Sequence, residues 1–499
     1  MKRLIVLTFK VVLLACAGLI VLSGVMIVRT LGLNQGQMSV GAVAPPAFDS
    51  MQAAKRLSGA IQIPTITHDD PTRFNASAFQ RLRAYLEQTY PTAHAVMSKE
   101  VISGHSLLYE WKGKDKTLAP ILLAAHLDVV PPVSPERWQH DPFSGTIEGG
   151  FIHGRGSLDD KASVTAILQA IELLATADYR PQRTILIAFG HDEERGGIKG
   201  AAKIAELLAQ RKVELEFVLD EGTAVLEAIV PGVSQPVAMI GIAEKGYVSF
   251  ELTAESRGGH SSMPPRITAA GRAARAIARL EESPMPARID GATAALLERL
   301  APEMPFIERA AIANQWLAAP MLTKRLTARP SSNAGVRTTM AATILQAGDK
   351  ENSLATHARA VVNFRILPGD TVKEVEAYLK GTIDDPRVRI AKLDGATEPS
   401  KISSPSTPQF RLLERTARET IAGALVAPGL VVAQTDSRHY SELTDQIYRF
   451  MPVRMNRADL MRVHGIDERI SIESYAEAIR FYYQLIKNAA IDEAKTASQ

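Results

Sequence analysis

Four short segments combine imidazole and carboxylate groups in a way that suits metal chemistry: His126-x-Asp128, Asp159-Asp160, Glu193-Glu194 and Asp220-Glu221. Each falls just after, or at the end of, an apolar run that reads as a strand. In an open α/β sheet, ligands bind outside the carboxyl ends of the strands. Four segments far apart in sequence are therefore expected to converge on one rim. Carboxylates crowded there repel one another unless cations hold them, and a buried charge needs a partner or a metal. Imidazole mixed with carboxylate suits zinc, with cobalt or manganese as alternatives. Any one segment alone is weak, since a Glu-Glu pair is commonly a solvated surface. The weight lies in their order and in their repeated placement at strand ends. Cys16 is the single cysteine, so metal ligands must be His and carboxylate, and no internal disulfide can form.

The elements that must position these groups are legible from periodicity. Ile121 to Val130 reads as a buried strand, as do Thr184 to Phe189 and Phe217 to Leu219. Val164, Ile167, Leu168, Ile171 and Leu174 recur at helical spacing. Strands alternating with helices predict an α/β unit with a mostly parallel sheet and helices on both faces. The pattern changes near Ala243. Val248, Phe250, Leu252 and Ala254 alternate with Tyr247, Ser249, Glu251 and Thr253, the signature of a half-buried strand. Thr268 to Glu282 reads as helix and Ala360 to Ile366 as strand. The expected division is a catalytic domain over 48–243, a smaller inserted α+β lid or dimerisation domain over 244–396, and a return to the catalytic domain over 397–499. The returning segment ends in an amphipathic helix, about Ile472 to Ala489. Residues 284–330 read as a helical elaboration of the insert.

Val11 to Val28 is an uninterrupted apolar or small-residue run of 18 residues, near the length that spans a hydrocarbon core of about 30 Å. Lys2, Arg3 and Lys10 precede it and Arg29 follows. The positive-inside rule then puts the N-terminus in the cytoplasm and the rest outside, periplasmic or extracellular. Residues 1–30 are read as a transmembrane anchor and 31–47 as a linker. A cleaved signal peptide, giving a secreted protein, and a lipoprotein signal at Leu13-Leu14-Ala15-Cys16 are the competing readings. The net charge is +3, and no basic stripe of a nucleic-acid binder stands out. Asn75-Ala76-Ser77 fits a glycosylation acceptor.

Taken together, several segments resemble the zinc aminoacylase/carboxypeptidase family. They are Ala125-His126-Leu127-Asp128, Gly154-Arg155-Gly156-Ser157-Leu158-Asp159-Asp160-Lys161, Asp192-Glu193-Glu194, Leu219-Asp220-Glu221-Gly222, Gly258-Gly259-His260-Ser261-Ser262 and Val463-His464-Gly465. The resemblance covers about residues 48–490 and is strongest to the carboxypeptidase S and N-fatty-acyl-amino-acid synthase/hydrolase branch. It implies two zinc ions. His126 and Asp220 would hold one, Glu194 and His464 the other, and Asp159 would bridge them. Asp128 would fix the tautomer of His126, and Glu193 would be the general base and acid. His439 competes with His464 for the last ligand position. His260 would reach a catalytic site from the insert, across a homodimer, and bind an oxyanion. Asn352, Arg365 and Arg438 would hold the substrate, the arginines by gripping a carboxylate.

The implied reaction is hydrolysis of the amide bond to a C-terminal amino acid with a free carboxylate, in a small peptide or an N-acyl amino acid. The alternatives are an aminopeptidase or dipeptidase of the same fold, or a non-catalytic binding protein. The last would be expected to have lost ligands or base, and none is missing here.

Overall fold

A computed structural model describes residues 2–33, 36–41 and 43–489. Residues 34, 35 and 42 of the expected linker, and 490–499 of the returning segment, lie outside the described residues.

The larger unit is built on a ten-stranded sheet. At its centre Ile121–His126 lies parallel to Ile185–Gly190 on one side and to Phe217–Asp220 on the other. Ile447–Arg449 continues the sheet, parallel to Phe217–Asp220. Ser106–Trp111 runs antiparallel beside Ile185–Gly190. Ile121–His126 and Ile185–Gly190 are buried at every position, and so is Phe217–Asp220. That explains their continuous apolar sequence, since a strand covered on both faces has no polar side to show. Helices Ser50–Ile61, Lys161–Thr176 and Ile472–Asn488 cover one face, with Ile167, Ile171, Ile479 and Leu485 in a single apolar cluster with Leu123 and Ile187. Helix Ala201–Gln210 covers the other face through Ile204 and Leu208. The fold is thus α/β, mostly parallel at its core, as the alternation of patterns implied.

A second sheet has four antiparallel strands, in the order Thr339–Ala347, His357–Ile366, Gly246–Glu255 and Val388–Lys392. Val248, Phe250, Leu252, Val362 and Phe364 pack beneath helices Ala269–Glu282 and Val372–Ile383. Thr268 caps the first of these helices by accepting from the Gly271 N–H. Thr371 and Glu374 form a capping box at the start of the second. The chain crosses between the two sheets twice, side by side. Tyr247 and Thr397 exchange main-chain hydrogen bonds of 3.0 and 2.8 Å at that neck.

Residues 284–330 do form helices, but their packing differs from the expected elaboration of the insert. Leu300, in helix Gly291–Leu300, joins Val233, Val237, Leu425 and Ala427 of the larger unit. The strand Leu425–Val431 is wholly buried, and helix Gly291–Leu300 is part of its cover. Beside them stands helix Lys2–Gly32, whose candidate membrane span Leu4–Gly32 has a mean hydropathy of 2.9.

Candidate metal centre

Three strand ends and two loops deliver the polar groups. His126 closes the central strand and is buried. Its Nε2 lies 2.8 Å from Asp159 Oδ1. Its Nδ1 faces the main-chain oxygen of Asp128 at 3.0 Å and the Asp128 carboxylate at 3.4 Å. The other Asp159 oxygen lies 3.0 Å from His464 Nε2, which is also 3.2 Å from Glu194 Oε2. One carboxylate therefore stands between two imidazoles, and His126, Asp159 and Glu194 can each turn a ligand atom to a common point. Asp220 ends the neighbouring strand with its Oδ2 buried and unpartnered, and Glu194 Oε1 is in the same condition. Buried polar atoms are normally paired.

Electrostatics point the same way. Burial pushes the Asp220 carboxyl up to about 6 and Asp160 to about 8, and raises Glu194. Burial also raises Glu193 and Glu221 far above the ordinary carboxylate range, and Asp159 adds to both. Burial opposes charge on His126, but the Asp128 and Asp159 carboxylates outweigh it and raise its pKa. Hydrogen bonds to Asp159 and Glu194 push His464 up to about 10. So many carboxylates enclosed with so few fixed positive charges need cations. The residues present fit a metal group: His126, Asp159, Glu194, Asp220 and His464 supply nitrogen and oxygen donors of the kind zinc takes.

The loops around these groups are tied to one another. The Asp128 carboxylate accepts the Glu193 and Glu194 N–H groups at 3.1 and 3.3 Å, fixing the turn Glu193–Arg195. Gly197 closes that turn at φ +65°. A Cβ there would meet Asp436 Oδ1 at 1.9 Å, so only glycine fits. Arg438 and His439 both donate to Gly196 O, at 2.7 and 2.9 Å. His439 is thus engaged with the loop's main chain, while His464 faces the carboxylates.

Two groups escaped the reading of the sequence. Glu468 is fully buried and accepts N–H bonds from Gly156, Leu158 and Asp159 at 3.0, 2.7 and 3.2 Å. It also pairs with buried Arg155, whose second nitrogen donates to Gly465 O at 3.0 Å. The pair clamps the Asp159 loop to the His464 loop, and its only sequence signal is its place four residues after His464. Asp436 is the other. Both its oxygens are buried without a partner, and burial raises its pKa strongly. Read as part of Thr435-Asp436-Ser437-Arg438, it carries no local pattern.

The remaining expected residues lie elsewhere. His260 and Asn352 are exposed on a small ribbon pairing Gly259–His260 with Ser353–Leu354. The His260 ring accepts from the Ser262 N–H, and Asn352 O accepts from Ser261. Arg365 lies over the Tyr247 ring at 5.0 Å, at the neck between the sheets. Burial lowers its pKa, and the positive charge of Arg438 lowers it further.

Comparison with known proteins shows the family. The model of peptidase family M20/M25/M40 matches residues 122–488. The N-fatty-acyl-amino acid synthase/hydrolase PM20D1 of Xenopus tropicalis is 41% identical, over 95% of this chain and 94% of that protein. Carboxypeptidase S of Saccharomyces cerevisiae is 31% identical, over 89% of this chain and 85% of its own length. Among solved structures, the M20 metallo-carboxypeptidase Sso-CP2 of Sulfolobus solfataricus shares the fold, with a TM-score of 0.65 at 19% identity, covering 89% of this chain and 100% of that one. Matched in sequence over most of its length, and carrying a carboxylate-and-imidazole cluster where the fold's strands end, the chain belongs to peptidase family M20/M25/M40 and is a metal-dependent hydrolase.

Proposed function

We propose that this protein is a two-zinc hydrolase that cleaves the amide bond to a C-terminal amino acid whose carboxylate is free. The observation that carries the reading is Asp159, held between His126 at 2.8 Å and His464 at 3.0 Å. A carboxylate with one oxygen turned to each imidazole suits a bridge between two cations. His126 and Asp220 would complete one site, Glu194 and His464 the other. When bound, the two cations would supply Lewis acidity at the scissile carbonyl and a water of lowered pKa.

The chain's own residues supply the rest. Glu193 lies next to the proposed ligand Glu194 and would take a proton from the attacking water and return it to the leaving amine. Asp128 orients both His126 and the Glu193–Glu194 backbone. Arg365 and Arg438 are the proposed carboxylate grip, since the positive charge of Arg438 disfavours charge on Arg365 and an anion bound by both would relieve it. The four-stranded sheet with helices Ala269–Glu282 and Val372–Ile383 would serve as the lid and dimerisation unit, with His260 and Asn352 acting at the partner's site. The helix Lys2–Gly32 is a single-pass anchor with its N-terminus cytoplasmic.

The test combines metal analysis with release of phenylalanine from N-oleoyl-phenylalanine and from a blocked dipeptide. The expected result is about two zinc ions per chain, and amino-acid release that Glu193→Gln abolishes while metal content stays. Folded, metal-loaded protein that turns over neither compound would overturn the reading. The better of the two compounds tells whether the acyl side is a fatty chain or a peptide.

A further inference from the structure

The anchor helix is built into the folded body, not hung from it. Arg309 donates to Thr30 O at 2.9 Å and to Leu33 O at 2.8 Å. Arg29 donates to Ala313 O at 3.2 Å, and Asn314, fully buried, donates to Met26 O and to Thr30 Oγ1 at 3.3 Å each. Just beyond, Gln37 accepts from the Val426 N–H at 2.7 Å and returns a bond to Val426 O. These bonds cap the anchor's last carbonyls with side chains of helix Phe306–Ala313 and the residue after it. Along the anchor, Leu22 and Met26 are half-buried and Thr30 is buried, while their neighbours are exposed. That spacing of four is one helix face. Leu22 stands about 15 Å before Gly32 at 1.5 Å per residue. Protein therefore lies alongside the anchor for its last turns.

The same helices carry apolar side chains outward. Helix Gln315–Thr327 exposes Trp316, Leu317, Pro320 and Met321, positions that share one face. Phe306 and Ile307, in the first turn of the neighbouring helix, are 57% and 76% exposed. Large apolar side chains clustered on a surface mark a contact site. The opposite face of Gln315–Thr327 is already used by buried Leu322, so folding alone does not explain the outer one. A cleft of about 540 Å³ opens between the anchor's end and these helices, lined by Arg29, Leu33, Ile312 and Trp316 among others.

We propose that helices Phe306–Ala313 and Gln315–Thr327 form a platform that sinks into the outer leaflet beside the anchor, with a phospholipid surface as its partner. Continuity selects that partner. The apolar face is fastened directly to the end of a helix long enough to cross a bilayer, so both meet the membrane at one level. Trp316 has the amphipathic ring that settles at such an interface, and Lys324 and Arg325 at the helix end suit lipid phosphates. The platform fixes how the catalytic body sits on the membrane, where a bare tether would leave it free to rotate. This inference rests on the reading of Lys2–Gly32 as an uncleaved anchor.

The experiment uses the full chain, reconstituted in nanodiscs that contain phospholipid brominated near the headgroup end of its acyl chains. Tryptophan emission is read for the unaltered protein and for Trp316→Phe. Trp111 is buried and Trp138 half-buried in the body, so the lipid-quenched part of the emission is expected to fall at least twofold in Trp316→Phe. A nitroxide at Met321→Cys, in a Cys16→Ser background, is expected to collide more with oxygen than with a water-soluble nickel chelate. Unchanged quenching and a water-exposed nitroxide, in protein that resists carbonate extraction, would overturn the platform and leave the anchor standing. An intact mass lacking the first 30 or so residues, or release by carbonate, would overturn both.

Discussion

Glu468 shows how much of a metal centre lies outside its ligands. Its two oxygens hold three N–H groups of the Asp159 loop and the Arg155 guanidinium. Glu468→Ala would leave Arg155 charged and buried with one main-chain partner, a loss of about 3–5 kcal/mol in stability. Glu468→Gln keeps the shape and an acceptor for the N–H groups, so it is the more informative change. Its expected effect is a 10- to 100-fold weaker zinc affinity, the range typical of groups that orient ligands, measured by competition with a chelator. Near-normal affinity in a folded Glu468→Gln protein would mean that the loop holds Asp159 without it. The arginines make a separate prediction. Losing a charge-assisted bond to a substrate carboxylate costs roughly 1.5–3 kcal/mol, so Arg365→Ala and Arg438→Ala should each lower kcat/KM by about 10- to 100-fold. The loss should vanish when the substrate's carboxylate is replaced by a neutral amide. A loss of the same size on both compounds would assign these residues to structure. Arg438 already spends one nitrogen on Gly196 O, so its change also loosens the Glu193 turn and should touch kcat as well as KM.

Strands carry these residues, and strand packing sets how firmly. Leu123 lies three residues before His126, fully buried in the central strand. Leu123→Ala should cost about 2–5 kcal/mol and lower the unfolding temperature of the metal-loaded protein, while leaving the ligands themselves untouched. At this scale the sequence was most readable. Ile121, Thr184 and Phe217 begin apolar runs that the sheet buries on both faces, and such runs have no other cheap reading. The alternation from Val248 to Ala254 was equally direct, because that strand has one wet side. Legibility failed where position depends on contacts far along the chain. Glu468 reaches the site through the loop of His464, with φ +58° at His464; nothing periodic marks a loop, and only the resemblance singled out His464. Asp436 is legible only once Gly190 and Gly197 are seen against it. Helix Gly291–Leu300 was misplaced because amphipathic spacing tells that a face is buried, but not against which sheet.

For the molecule as a whole, metal and assembly are the two couplings that matter. Zinc bound to the folded chain alone stabilises it by about 4 kcal/mol at a free concentration 1,000 times the dissociation constant, so stripping it with a chelator should lower the unfolding temperature, and adding zinc back should restore it. The proposed dimer bears on His260, which is exposed on a ribbon of the smaller unit, while the smaller sheet ends in the strand Thr339–Ala347, whose residues Ile344 and Leu345 are exposed. An uncovered edge of that length is a ready template for a second copy. In the proposed dimer, paired through this edge, each His260 would act at its partner's centre, where an imidazole can stabilise the oxyanion. Complementation tests the arrangement. Glu193→Gln and His260→Ala should each be inactive alone. If His260 acts across the dimer, one centre in the mixed pair keeps both groups, and re-associated equal mixtures should recover roughly a quarter of full activity, because a C2 interface pairs the chains statistically. Leu345→Lys, which places a charge on the shared edge, should yield monomers as inactive as His260→Ala. Full activity in that monomer, or no recovery on mixing chains shown to exchange, would place the oxyanion's partner within the same chain.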